Sequence, residues 1–360
     1  MYRRLTALTL SLALLLSGCS GLLERSQRTV NPHVEQAASE GDPSVLRAEN
    51  YQSLVSAVLH FVSEGMERGK VRLYKYTGNI GDDLASACDE VMLEDPLGAY
   101  ALEDIDWNYN RIVSYYECSF QFTYRRTAEQ IQSVRSVNGV TAIRNALEEA
   151  MAAGQTEAVL RVSSYYAGEA WIGQLFGEAY QELGLAAVAE PTLSLSVYPD
   201  SGSQRIVECL LDYGMTGKEL AARREEALSA AQDLVRRWEL APEKEAAAAF
   251  ADSLSWSPEG GSDVYGALTG DGSSSLGVAM AMQGVCHLMD LGCTLVEGTR
   301  NGESWYWNQV TLSDKTRWCV DAASGTGLVT AEELAALGYQ WEGQPVAVQR
   351  ASAGTEALLP

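Results

Sequence analysis

Proton transfer near neutral pH falls mostly to imidazole, and this chain holds three: His33, His60 and His287. So small a supply limits zinc sites, histidine acid–base chemistry and Ser/His or Cys/His catalysis. His60 lies off the apolar stripe of its helix, so a solvated ring is expected there rather than a ligand. Seven cysteines contain no Cys-x-x-Cys pair and show no disulfide framework. Buried free thiols are the expectation for Cys88, Cys118, Cys209, Cys286, Cys293 and Cys319. Arg125 and Arg126 offer cations at a strand end, where solvation is expected ahead of anion binding. Through residue 217 no acidic pair stands beside a nucleophile and no phosphate-cradling loop occurs. No cofactor and no metal are expected.

The elements around these residues follow from periodicity. Asn50 suits an N-cap, and Tyr51, Leu54, Val55, Val58, Phe61 and Val62 make a helical stripe behind it. Residues 71–76 alternate as a strand, and 80–92 read as a helix. Residues 112–124 read as a long strand, with Tyr116, Cys118, Phe120, Phe122 and Tyr124 on one side. A helix follows with Ile143, Ala146, Leu147, Ala150 and Met151 inward. The pattern then recurs: a strand at 158–166, a helix carrying Trp171 to Leu183, and strands at 193–197 and 204–213. Val207-Glu208-Cys209 and Tyr116-Glu117-Cys118 occupy matching places 91 residues apart. Two divergent copies of one α/β unit are expected over 48–217, serving as a scaffold or partner-binding region. Residues 218–240 and 243–254 are helical, parted at Pro242.

Farther on, Gly270-Asp271-Gly272 is a loop, and Ser273, Ser274 and Ser275 offer N-caps to a helix over 276–289 that is apolar almost all round. Strands at 295–299, 305–312 and 317–321 follow, with Asn301-Gly302 as a hairpin turn. A buried helix plus an antiparallel meander completes an α+β chain. Trp305 and Trp307 alternate on one strand face. They fill core or, with Trp318, form an aromatic ligand platform.

This order resembles the transglutaminase-like (cysteine-protease-like) superfamily over residues 218–341. Ala267-Leu268, Gly270 and Ser275-Leu276-Gly277 stand where that family has Ala-Leu, a glycine-rich approach and Cys-x-Gly opening the core helix. Trp305-Tyr306-Trp307-Asn308 stands for its His-Ala-Trp-Asn strand, and Arg317-Trp318-Cys319-Val320-Asp321 for the strand ending in Asp. Leu334, Gly338-Tyr339 and Trp341 echo its trailing segment. The resemblance implies a thiolate at a helix N-terminus, an imidazole base and an orienting Asp. Here the nucleophile place holds Ser275, the base place Trp305, and only Asp321 is retained. Indole cannot accept a proton, because its one polar group is a donor. His287 would lie ~18 Å along the helix from Ser275, far beyond the ~3 Å of a working hydrogen bond. Cys286, Cys293 and Cys319 do not match the nucleophile place. The expectation is an inactive domain that binds a peptide, a cell-wall fragment or a protein. The competing expectation is an active acyl transferase or peptidase using Ser275 or a cysteine.

At 360 residues the chain has room for about two domains. A net charge of −22 opposes a nucleic-acid partner and flat adsorption on anionic lipid. Membrane attachment therefore needs its own device. Residues 1–19 carry Arg3 and Arg4, then an apolar run over 5–16 that is short against the ~20 residues a spanning helix needs. Leu16-Ser17-Gly18-Cys19 resembles a bacterial lipoprotein signal, which implies lipid, palmitate included, on Cys19 and a place on the extracytoplasmic face of the cell membrane. Two or more acyl chains hold stably. Residues 20–47 read as a flexible tether, and 342–360 as a loose tail.

Overall fold

The computed structural model describes residues 41–166 and 168–342. The leader, Cys19, most of the tether and nearly all of the tail lie outside the described residues. The chain divides into two compact units, and its architecture is mixed α/β. Among the described residues no helix is long and apolar enough to cross a membrane.

The first unit takes the chain through Val91 together with Glu103–Thr123. Its elements are β1 (Val45–Ala48), α1 (Tyr51–Ser63), β2 (Arg68–Tyr74), α2 (Ile80–Asp89), β3 (Leu102–Ile112) and β4 (Tyr115–Tyr124). Asn50 caps α1 through a reciprocal bond with Ser53. The stripe along α1 buries Leu54, Val55, Val58, Phe61 and Val62. The sheet runs β1-β2-β4-β3. β1 and β2 are parallel, with Leu46 opposite Val71. β2 and β4 are antiparallel, with Val71 opposite Cys118. Alternation along β4 buries Cys118, Phe120 and Phe122, as its period of two requires. Two expectations need correction. β1 forms inside the stretch read as tether, because its parallel partner β2 supplies the hydrogen bonds that four residues cannot make alone. The strand read over 112–124 breaks into a hairpin at Val113-Ser114, and its other arm is β3.

The second unit takes 92–102 and everything from Tyr124. It opens with α3 (Pro96–Ala101) and continues with α4 (Ala128–Gln132), β5 (Arg135–Val137), α5 (Val140–Ala152), β6 (Glu157–Val162), α6 (Glu169–Glu182), β7 (Thr192–Tyr198) and β8 (Arg205–Asp212). This sheet runs β5-β6-β8-β7. Its first pair is parallel and its second antiparallel, the same strand order as in the first unit. Cys209 faces Ala158 across β8 and β6. Arg125 is exposed, as expected for a strand end, while Arg126 is half-buried and paired. Arg125 donates to the Leu102 carbonyl, and Arg126 bonds Glu208 at 2.8 Å. Glu208 is only 5% exposed and so requires a partner.

Four helices follow: α7 (Gly217–Trp238), α8 (Glu243–Ser253), α9 (Val264–Thr269) and α10 (Ser275–Leu288). Then come β9 (Gly292–Arg300), β10 (Glu303–Thr311), β11 (Arg317–Asp321), β12 (Thr326–Val329), α11 (Ala331–Ala336) and β13 (Tyr339–Gln340). The second sheet of this unit is antiparallel throughout, in the order β12-β11-β10-β9-β13. α10 is buried on nearly every side, as its unbroken apolar surface demands. Gly284 lets Leu185 sit directly against it; a Cβ there would lie 2.5 Å from the Leu185 side chain. Nearby, Val264 N–H donates to the Ala187 carbonyl (2.8 Å) and the Tyr180 hydroxyl to that of Ser262 (2.9 Å). One core, from Val137 to Ala323, runs without interruption through α5, α6, β8, α7, α8, α10 and the antiparallel sheet. It crosses residue 217.

Candidate functional site

Ser275 is the first residue of α10, and the cap is its neighbour. Ser274 is the extended N-cap residue, and its hydroxyl accepts from Gly277 N–H. The reading of Ser275 as a cap is therefore corrected. Its own side chain is free to turn toward β10, where Oγ accepts from Tyr306 N–H at 3.4 Å. The hydroxyl thus lies against the Trp305–Tyr306 peptide, and Ser275 is 8% exposed. Asn308 fixes the register of helix against strand: its Nδ2 donates to the Ala279 carbonyl of α10 at 2.9 Å.

The base place and the acid place are also brought together. Trp305 Nε1 donates to Asp321 Oδ2 at 2.7 Å. The hydroxyl of Tyr339 donates to that same oxygen at 2.6 Å, and Ser324 N–H to Oδ1 at 3.1 Å. Asp321 is 1% exposed. A carboxylate in such a place needs donors around it, and this one has three. They come from β10, from β13 and from the turn after β11, so Asp321 ties together the central strand, an edge strand and a turn of the sheet. Burial, then the carboxylate beside it, pushes the Tyr339 phenol above its usual range.

The rim adds residues that sequence reading passed over. Trp256 is exposed, and its ring lies 6.0 Å from that of Trp305. It arrives there because the segment after α8 bridges to Ser273, directly before α10. The lone tryptophan in a Ser-Pro-Gly loop gave no periodic signal to find it by. The Arg300 guanidinium sits 5.1 Å from the Trp305 ring centre and 5.7 Å from that of Tyr339, close enough for a cation–π contact. Tyr306 faces Glu297 on β9. Burial, then Glu297, raises its phenol pKa, with Glu190 contributing.

The expected aromatic platform is only partly present. Trp307 is 1% exposed, packed edge-on against Tyr339 and Trp341. Gly298 makes room for it: a Cβ there would lie 2.5 Å from the indole. Trp307 is core and offers no open face, because the segment after β12 folds over that side of the sheet. Trp318 is half-buried under the Lys244 ammonium, 3.2 Å from its ring centre. Of the three, Trp305 alone touches the exposed Trp256.

Among the described residues, no hydrogen bond joins Ser275 Oγ to an imidazole, a carboxylate or a thiol. His287 closes the far end of α10, where Nε2 meets the Cys293 carbonyl at 3.0 Å. It is the one imidazole among the described residues of this unit. All six described cysteines are buried and free. Burial raises Cys319, and a Cys286 contact followed by burial raises Cys293, so neither is a ready thiolate. Among the described residues no group of three His, Cys, Asp or Glu side chains is placed to share a cation. The arrangement can hold a ligand against two indoles and a serine hydroxyl. It has no proton acceptor at hydrogen-bond distance from that hydroxyl.

Comparison with known proteins gives little company. No protein-family model matches the sequence, and no curated protein matches it. Among solved structures, one titled "Crystal structure of a TGase" is similar over 57% of this chain, with 12% identity and a TM-score of 0.25. The match covers 64% of that chain, so it spans less than two thirds of its length.

Proposed function

We propose that this protein is a lipid-anchored surface protein whose C-terminal region is a catalytically inert, transglutaminase-like binding or scaffold module. The observation that carries the reading is the Trp305–Asp321 hydrogen bond. Acyl transfer needs a ring nitrogen with a free lone pair between nucleophile and acid. Indole presents only a donor, and Asp321 accepts it in the way an acid accepts an orienting N–H. Ser275 keeps a weak nucleophile at a helix N-terminus without a base. The cleft then binds without turnover, holding a peptide or cell-wall fragment against Trp256 and Trp305. Sugar rings and extended chains both stack on such faces. Cys19 is the proposed lipid site, holding the protein on the extracytoplasmic side.

The test is a titration of soluble peptidoglycan fragments followed by tryptophan fluorescence. The parent should respond and saturate, and Trp256→Ala should lose most of the change. In parallel, the parent and Ser275→Ala are incubated with peptide and amine-transfer substrates. Turnover present in the parent and absent in Ser275→Ala would overturn the inert reading. A flat titration in the parent would remove the ligand class.

A further inference from the structure

Edge strands are normally kept short, because their open hydrogen-bonding row invites another strand. Most edges here obey that rule: β1 has four residues, β5 three, β7 seven and β13 two. β12 has four. β3 is the exception. It is an edge strand of eleven residues, and beyond Ile105 nearly all of it is solvent-exposed. Apolar side chains stay out with it: Tyr109 is 42% exposed, Ile112 39% and Val113 99%.

The strand is also complementary to itself. Glu103, Ile105, Trp107, Tyr109 and Arg111 share one face by alternation. Set antiparallel to its own copy with Trp107 opposite Trp107, Glu103 meets Arg111 and Ile105 meets Tyr109. On the other face Asp104 meets Asn110 and Asp106 meets Asn108. Opposite charges fall together at both ends, and a Trp107 pair flanked by two Ile105–Tyr109 pairs fills the middle. Such pairs are the stabilising unit of a sheet. Among the described residues no ion pair engages Glu103 or Arg111; Arg111 lies over the Tyr116 ring at 5.9 Å. Trp107 and Tyr109 already stack, with centroids 6.5 Å apart. An extended neighbour would lengthen this aromatic row.

We propose that β3 pairs with β3 of a second copy of this chain, about a twofold axis at Trp107, so that the two sheets become one. The interface is isologous, as a closed dimer requires. It stands independently of the function proposed for the cleft.

The test is sedimentation of the full chain over a wide concentration range, with charge variants. The parent should show a monomer–dimer equilibrium. Arg111→Glu places two like-charged pairs in the interface and should weaken dimerisation about tenfold or more. Glu103→Arg should do the same, and the double variant Glu103→Arg/Arg111→Glu should regain the parent constant within about threefold. A second measurement reads register. Directly opposed Cα atoms lie ~4.5–5.5 Å apart, inside disulfide range. Trp107→Cys should therefore cross-link between chains on mild oxidation, and the exposed Val113→Cys should not. A parent that stays monomeric overturns the proposal. So does a dimer indifferent to Arg111→Glu, and so does cross-linking at Val113 in place of Trp107. A second protein that binds Trp107→Cys by disulfide while the chain itself stays monomeric would also overturn it.

Discussion

Replacing Asp321 by Asn tests whether this buried carboxylate works as a structural clasp. The substitution keeps the volume and removes the charge. An amide has one oxygen, so at most one side of the group still accepts. Its nitrogen must then face either the Trp305 and Tyr339 donors or Ser324 N–H. With the oxygen kept toward Trp305 and Tyr339, the Ser324 bond is lost and the other two lose their charge assistance, each charge-assisted bond being worth ~1.5–3 kcal/mol. At 1% exposure no water enters freely to replace them. The bonds share one oxygen and are not additive, so the expected loss is about 3–5 kcal/mol. For a unit of this size that lowers Tm by roughly 6–20 °C. Tyr339→Phe removes one donor and leaves the carboxylate two, and should cost about 1–2 kcal/mol. Urea unfolding of the parent, Asp321→Asn, Tyr339→Phe, Trp305→Phe and Trp305→Phe/Tyr339→Phe measures each term and the coupling between donors. If Asp321→Asn unfolds within about 1 kcal/mol of the parent, the three bonds do not hold these pieces of the sheet together and the reasoning fails.

Other expectations are quicker to check. An aromatic disulfide reagent at about pH 8 should read none of the six described thiols in the native protein and all six in denaturant. Burial pushes Cys88, Cys118 and Cys209 up to about 12. Burial, then Glu157 and Glu208, pushes Tyr100 up to about 12 from 10.0. Its folded pKa is raised, so above pH 10 the unfolded chain has lost a proton that the folded chain keeps. Stability then falls as pH rises, by up to ~1.4 kcal/mol per unit for this group. Tyr100→Phe should flatten that slope in urea midpoints compared at about pH 9 and about pH 11. Arg126→Met leaves the Glu208 charge buried without its 2.8 Å partner and should cost about 2–4 kcal/mol in urea unfolding. Arg126→Met/Glu208→Leu should recover much of it.

The sequence was most legible where one face is wet and the other dry. Alternation along 116–124 and the stripe of α1 translate directly into burial. α10 and its meander stood out through an apolar run and an Asn-Gly turn. Trp305 and Asp321, expected from the sequence to share one site, meet through a hydrogen bond although 16 residues separate them. β3 was invisible for the opposite reason. Its run of Glu, Asp and Asn has no dry face past Ile105, so there was no period to detect. β1 and β5 are too short to show one. Arg126 was misread because its buried partner Glu208 is 82 residues away. Trp256 reaches the cleft through a single bridge that no local pattern announces.

The Leu185 side chain seated on Gly284 has a practical consequence for anyone cutting this protein into pieces. A fragment starting at 218 would lose the plug that covers the middle of its central helix. It would also lose the carbonyl that receives Val264 N–H and the phenol that reaches Ser262. Such a fragment would carry a raw apolar wound where the excised turn had lain, and it would be expected to precipitate. The unit also takes 92–102, whose Leu102 carbonyl receives Arg125, so the lock and its key stay together only in a piece that keeps that segment along with everything from Tyr124.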